Sequence, residues 1–387
     1  SLGATRSGDI NATFVDVFEY RGRRAYRFEI DEELPSGDRF FLRTERDSGT
    51  EQVIARRLRN IKALDTRVDL AEMLADPWRV RRSSREALGE EDRGDAAFLD
   101  LDGPKQNALL GLWAILPAYF VVGPPGVGKT KLVTEVVRRR FVADRSTRML
   151  VSAQGHDALD NLQQKIKETL ADAERDDVLI VRSTTNDQRP TSDEEVHRAG
   201  FDYLDRLSQS ALARDAPAPF RERVAALKLA AGRFETDKAS VDRDHRSGLG
   251  AVSYLILDAA NIVISTANSP DIERLVEAHE QFDWVIIEEA AKAIGPELVG
   301  PLMLSGRRLL IGDHHQLPPF EADRLVKILS DHGLVESALG IAARMIGPLL
   351  RDGELDELDN FIGNADKLRD MSSIALRLLE PFRTVVE

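Results

Sequence analysis

Hydrophobic positions along the chain follow three patterns in succession. In the first, Tyr26, Phe28 and Ile30 alternate with Arg27 and Glu29, and similar runs fill Thr13–Tyr20 and Arg39–Glu45. A period of two predicts strands with one apolar face, and the RGRR and ELPSGD stretches between them carry turn residues. The expected element is a small antiparallel β-barrel or meander over residues 1–48. In the second pattern, Ile54, Leu58 and Ile61 fall four and three apart among Arg56, Arg57, Arg59 and Lys62, which predicts an amphipathic helix. Another helix is expected over Val68–Leu74, stopping before Pro77. The charge-rich RVRRSSREALGEEDRGD reads as a linker, so residues 49–97 form a helical stalk and linker.

From residue 98 onward, short apolar runs alternate with helical stretches. The runs are AYFVV, RMLVS, DVLIVR, NIVIST, WVIIEE and RLLIGD. Short, nearly all-apolar strands between helices predict an α/β fold, a parallel sheet covered on both faces, over residues 98–387. A stretch rich in Arg, Asp and Ala interrupts the alternation at about residues 192–249 and is expected to be a solvated helical hairpin.

Composition narrows the setting. No window approaches 18 consecutive apolar residues, so no membrane span or membrane partner is expected. The start, SLGATRSGD, has no apolar signal core and no initiator Met, the pattern of a processed, tagged or excised chain. The chain contains no cysteine, which excludes disulfides and thiolate metal sites and suits a cytoplasmic or otherwise intracellular setting. With 53 basic and 66 acidic residues the net charge is −13, which disfavours general nucleic-acid binding and restricts any such contact to a local groove. The basic clusters Arg56–Arg59 and Arg79–Arg82 stand equally as groove lining or as solvated faces.

The densest chemistry lies in GPPGVGKT, Gly123 to Thr130, between an apolar run and a helical one. G-x-x-x-x-G-K-[ST] in that context is a phosphate-binding loop. Gly123, Gly126 and Gly128 allow backbone turns with φ > 0, which aim N–H groups at phosphate oxygens together with the helix N-terminus. Pro124 completes the loop, Lys129 adds a charge for the β/γ-phosphates, and the Thr130 hydroxyl is suited to Mg²⁺. Arg138, Arg139 and Arg140 read as complements to the helix C-terminal dipole rather than as a nucleic-acid patch. The run FDWVIIEEAAKA ends a strand in two carboxylates, expected at the carboxyl edge of the sheet. Glu288 is assigned to Mg²⁺, through a bridging water, and Glu289 to the attacking water. After RLLIGD, Gln316 is suited to sensing a γ-phosphate, since an amide both donates and accepts. His314 and His315 have no third ligand at metal spacing and read as polar loop residues.

Taken in order, GPPGVGKT, LVSAQGHDALDNL, NIVISTANSP, VIIEEAAKA and LIGDHHQLPP resemble superfamily 1 helicases, in the branch of senataxin and the nonsense-mediated-decay helicase. The resemblance spans residues 101–319. It implies a RecA-like P-loop NTPase domain with ATP and Mg²⁺ as cofactors. It implies an adenine-reading role for Gln106 in LDGPKQ, pairing with N6 and N7, and nucleic-acid backbone contacts for Ser152, His156, Asn161, Thr266 and Asn268. The N-terminal barrel and stalk resemble the family's accessory domain. The tail LLEPFRTVVE resembles the start of the bridging motif, which would set Phe382 near adenine and Arg383 near the γ-phosphate; Pro381 and Thr384 depart from it. A further departure is Glu288 where the family has Asp, lengthening that side chain by roughly 1.5 Å. Within residues 1–387 nothing follows LLEPFRTVVE to build the family's second RecA-like domain, which is therefore not expected there. The implied activity is an ATP-dependent helicase or translocase on single-stranded RNA or DNA. The alternative is a non-unwinding ATP switch whose second lobe comes from a protein partner. The residues of a guanine-reading Asn-Lys-x-Asp occur at Asn364–Lys367 only in the wrong order, which argues against a GTPase.

Overall fold

The computed structural model describes residues 12–30, 47–76, 83–84, 88–175, 177–183, 196–236, 243–346 and 352–387. The expected strand Arg39–Glu45, its ELPSGD turn and the Arg79–Arg82 cluster lie outside the described residues. The chain divides into two compact units, Ser1–Ile54 and Ala55–Glu387.

In the first unit, β1 (Ala12–Tyr20) and β2 (Arg23–Ile30) pair antiparallel from Ala12↔Ile30 to Tyr20↔Arg23. The two-residue loop is Arg21–Gly22, with φ of +54° and +71°. Two positive φ values give a hairpin loop whose twist matches that of its strands. Of the RGRR stretch, therefore, only the first half turns; Arg23 and Arg24 belong to β2.

The second unit is built on a parallel sheet. A short antiparallel bridge joins β3 (Ser83–Ser84) to β4 (Ile115–Leu116). All six apolar runs then form strands: β5 (Ala118–Val122), β6 (Met149–Ala153), β7 (Ile180–Arg182), β8 (Ile262–Thr266), β9 (Trp284–Ile287) and β10 (Arg308–Gly312). Their spatial order is β5-β10-β9-β6-β8-β7. Alternate residues feed two cores. Leu150, Val263, Val285, Ile287 and Leu310 face one, and Met149, Val151, Ile264, Ile286 and Ile311 face the other. Burial on both faces explains why these strands read as unbroken apolar runs.

The charged insertion departs from the expected hairpin. Helices Val196–Gln209, Ala218–Thr236 and Arg243–Ala259 enclose a small core of Leu204, Ala230, Ala231 and Leu249. Three helices supply a shared interior that two polar helices lack, and the last one leads directly into β8.

Two arginine clusters are structural. Arg57 donates to Glu297 Oε1 (2.6 Å) and to Asn268 Oδ1 (3.4 Å), and Arg59 pairs with Glu273. Within the second unit, residues 55–63 are thereby held to the helices Pro270–Glu277 and Gly295–Met303. Arg138 and Arg139 both bond Glu135 and Asp95, so acidic side chains rather than a helix dipole neutralise them. Arg140 donates to Thr147 Oγ1 at 3.1 Å. Among the described residues no helix is long and apolar enough to cross a membrane.

Candidate nucleotide site

Parallel pairing brings the carboxyl ends of β5, β10, β9, β6 and β8 to one edge. Gly312 stands opposite Val122, Ser152 opposite Ile287, and Ala153 opposite Thr266. The segments leaving β5, β9 and β10 carry Lys129, Thr130, Glu288, Glu289 and Gln316. The ends of β6 and β8, with the segments after them, carry Ser152, His156, Asn161, Thr266 and Asn268. Gln106, Phe382 and Arg383 lie on the helices Gly103–Ala114 and Pro381–Val386.

After β5 the chain turns through Gly123–Gly128 into the helix Lys129–Ala143. Gly126 and Gly128 have φ of +82° and +80°, the left-handed region that only glycine adopts freely. Gly123 does not share that conformation. A Cβ there would lie 3.0 Å from Val127 Cγ2, a tight contact with an exposed side chain. The Gly123 N–H donates to Gly312 O (3.1 Å), tying the loop to β10. Pro124 through Val127 are exposed. The Lys129 ammonium is held over the loop by the carbonyls of Gly123 (2.7 Å) and Pro124 (3.0 Å).

Thr130 Oγ1 donates to Glu288 Oε1 at 3.3 Å, joining the loop to the end of β9. Glu288 is buried, at 8% exposure, and its backbone N–H bonds Ser152 O at 2.8 Å. Burial pushes its carboxyl above the usual range. The neighbouring Glu289 charge acts in the same direction, while the Thr130 hydroxyl and the Lys129 ammonium oppose the shift.

Glu289 has a left-handed backbone, φ 54° and ψ 32°, and opens the short 3₁₀ turn Ala290–Lys292. That turn brings Lys292 Nζ to 2.9 Å from Glu289 Oε1. Gln316 is oriented by Asp313, whose Oδ2 accepts from Gln316 Nε2 (3.1 Å) and whose Oδ1 accepts from the His315 N–H (3.0 Å). The Gln316 amide is the main reason the Asp313 carboxyl sits below its usual range. Neither Lys292 nor Asp313 was singled out from the sequence. Both stand three residues from an assigned group, the spacing at which a single turn brings side chains together.

Other assigned residues are placed differently from expectation. Gln106 Nε2 donates to the carbonyls of Phe98 (3.1 Å) and Leu101 (3.0 Å). Both amide hydrogens are thus taken by protein, leaving the carboxamide oxygen for a base and removing the donor expected at N7. Phe382, at 1% exposure, lies in the core with its ring centroid 5.6 Å from that of Phe120, not on an open adenine face. Arg383 pairs with Glu387 (3.0 Å) and Glu380 (3.5 Å), and Glu387 in turn lies 3.8 Å from His314 Nε2.

On the other half of the edge, Ser152 is fully buried within β6, not at the surface, and its carbonyl supports Glu288. His156 begins the helix His156–Asp172, with Arg182 Nη2 donating to its carbonyl at 3.3 Å, and Asn161 is exposed one turn on. Thr266, half-buried, closes β8. Asn268 is engaged by Arg57 and by Glu297, to which its Nδ2 donates at 3.3 Å.

Comparison with known proteins agrees with this arrangement. The AAA domain family matches residues 111–216 and 222–322. The chain is similar to DNA polymerase alpha-associated DNA helicase A of Schizosaccharomyces pombe, 26% identical over 291 residues, covering 68% of this chain and 40% of that protein. It is similar to ATP-dependent helicase upf1 of the same yeast, 28% identical over 222 residues, covering 55% and 22% respectively. It is also similar to DNA replication ATP-dependent helicase/nuclease DNA2 of Saccharomyces cerevisiae, 23% identical over 204 residues, covering 52% and 10%. The chain spans 10% to 40% of the length of these relatives. The sheet is that of a RecA-like P-loop domain, and the family covers more than half of the residues. The chain belongs to the AAA domain family, among the superfamily 1 helicases.

Proposed function

We propose that this domain binds Mg²⁺–ATP and hydrolyses it as the first motor lobe of a helicase or translocase acting on single-stranded RNA or DNA. The observation that carries the reading is the gathering of Lys129, Thr130, Glu288, Glu289 and Gln316 from three adjacent strand ends onto one edge. His156, Asn161 and Thr266 stand at the neighbouring strand ends, where hydroxyl, imidazole and amide groups suit sequence-independent phosphate contacts.

The loop N–H groups and Lys129 hold the phosphates. Thr130 and Glu288 offer a hydroxyl and a buried carboxylate, hard oxygen donors that fit Mg²⁺, and a divalent cation would offset the burial that raises the Glu288 carboxyl. When bound, Mg²⁺ neutralises charge on the phosphate oxygens. Glu289 orients the attacking water and accepts its proton, and Gln316, aimed by Asp313, senses the γ-phosphate. Leu317 and Phe320, 79% and 90% exposed, offer apolar surface beside Gln316 for a second lobe, whether from the same polypeptide or from a partner.

The decisive measurement is ATP hydrolysis by the protein that carries this chain, with and without single-stranded RNA and DNA. Stimulation by one of them is expected; a rate indifferent to both overturns the motor reading. For the chain itself, Lys129→Ala is expected to weaken ATP binding on the order of a hundredfold, from loss of a charge-assisted contact worth roughly 1.5–3 kcal/mol. A fluorescent-nucleotide titration checks it. A non-unwinding ATP switch is the second reading. The Glu289–Lys292 pair favours it, because the ammonium competes for the carboxylate that must take the proton.

A further inference from the structure

Lys105 immediately precedes Gln106, on the first turn of the helix Gly103–Ala114. Asp102 caps that helix, its Oδ1 accepting from the Lys105 N–H at 3.0 Å, and its Oδ2 pairs with Lys105 Nζ. An exposed pair at this spacing would be worth little. Lys105, however, does not extend into solvent: its side chain is 17% exposed and lies against the phosphate loop. A Cβ built on Gly128 would stand 2.9 Å from Lys105 Cε and 3.4 Å from Nζ. One helical turn thus carries the Gln106 amide, bonded to Phe98 and Leu101, and an ammonium against the last glycine of the loop.

We propose that Lys105 is a second phosphate-binding lysine, parked on Asp102 beside Gly128 and transferred to the inner phosphate of an adenine nucleotide. This rests on the reading of the loop as a nucleotide site and adds to it a residue outside the motif. Lys129 is directed to the β/γ-phosphates. Lys105, approaching from the Gln106 side, meets the phosphate nearest the base. A phosphate carries more negative charge and more acceptor oxygens than one carboxylate, so it outcompetes Asp102 for the ammonium.

The test is calorimetric titration of ADP with Mg²⁺ into the wild-type chain and into Lys105→Met, Lys105→Arg and Asp102→Asn, with thermal midpoints recorded for each. Lys105→Met should weaken ADP binding about tenfold, the loss of one charge-assisted contact. Lys105→Arg should keep most of the affinity. Asp102→Asn, which retains an N-cap acceptor, should tighten binding by freeing the lysine. Wild-type affinity in Lys105→Met, or an equal loss in Lys105→Arg, overturns the contact. No tightening in Asp102→Asn overturns the parked state. A wild-type chain that binds neither ADP nor ATP overturns the phosphate-loop reading itself, a result distinct from all of these.

Discussion

Glu289→Gln is expected to lower ATP turnover on the order of 10²- to 10⁴-fold, the range for loss of a positioned general base. Nucleotide binding should remain. The substitution keeps an oxygen for Lys292 to bond, and the left-handed backbone at φ 54° is unchanged in its demands, so the 3₁₀ turn should persist. What disappears is the charge that takes the proton from water. Phosphate release by the protein carrying this chain, measured with a single-stranded oligonucleotide, gives kcat, and a parallel nucleotide titration gives affinity. A fall in kcat with affinity retained separates this residue from Lys129, whose loss acts on binding. Turnover at the wild-type rate would place the proton acceptor elsewhere. If Glu289→Gln preserves biological function while Lys129→Ala abolishes it, binding alone drives the protein and the switch reading prevails.

Phe382→Ala is expected to cost ~3–5 kcal/mol of stability, the range for deleting a buried aromatic ring. Phe382 has 1% exposure and packs on Phe120 at a 50° interplanar angle. A Cβ on Gly312 would stand 2.9 Å from the Ala291 backbone nitrogen and 3.1 Å from Phe382 Cζ, so the glycine at the end of β10 makes room for the turn after Glu289 and for the ring. Removing the ring leaves a cavity beside Phe120, Gly312 at the end of β10, and Ala291 in the turn that follows Glu289. Urea unfolding should show a lower midpoint with an unchanged slope. Weaker ATP binding with no change in that midpoint would restore the ring as an adenine platform.

Much of the sheet could be read directly. A strand covered on both faces has no polar side, so AYFVV through RLLIGD stand out as apolar runs, and each became a strand. The phosphate loop was readable for a different reason. Its backbone needs left-handed φ at Gly126 and Gly128, a requirement that restricts residue choice. The side-chain environments were not readable in the same way. Ser152 ends an apolar run, and the resemblance implied that it contacts nucleic acid, yet it is fully buried between Ser265 and Ile287 on the flanking strands. Arg57 and Arg59 resembled a basic face, but Asn268, Glu273 and Glu297 fold back upon them from more than 200 positions away.

Local physics therefore determined, from the sequence alone, which segments are strands, where the chain must turn on glycine, and which carboxylates and amides follow a strand end. Those properties depend on burial periodicity and on φ/ψ limits within a few residues. Only the tertiary structure decided the order β5-β10-β9-β6-β8-β7, the burial of Ser152 and Phe382, and the approach of Lys105 to Gly128. Each of these arises from contacts between segments distant in sequence, where many pairings of similar apolar strands and opposite charges compete and the packing of the whole selects one.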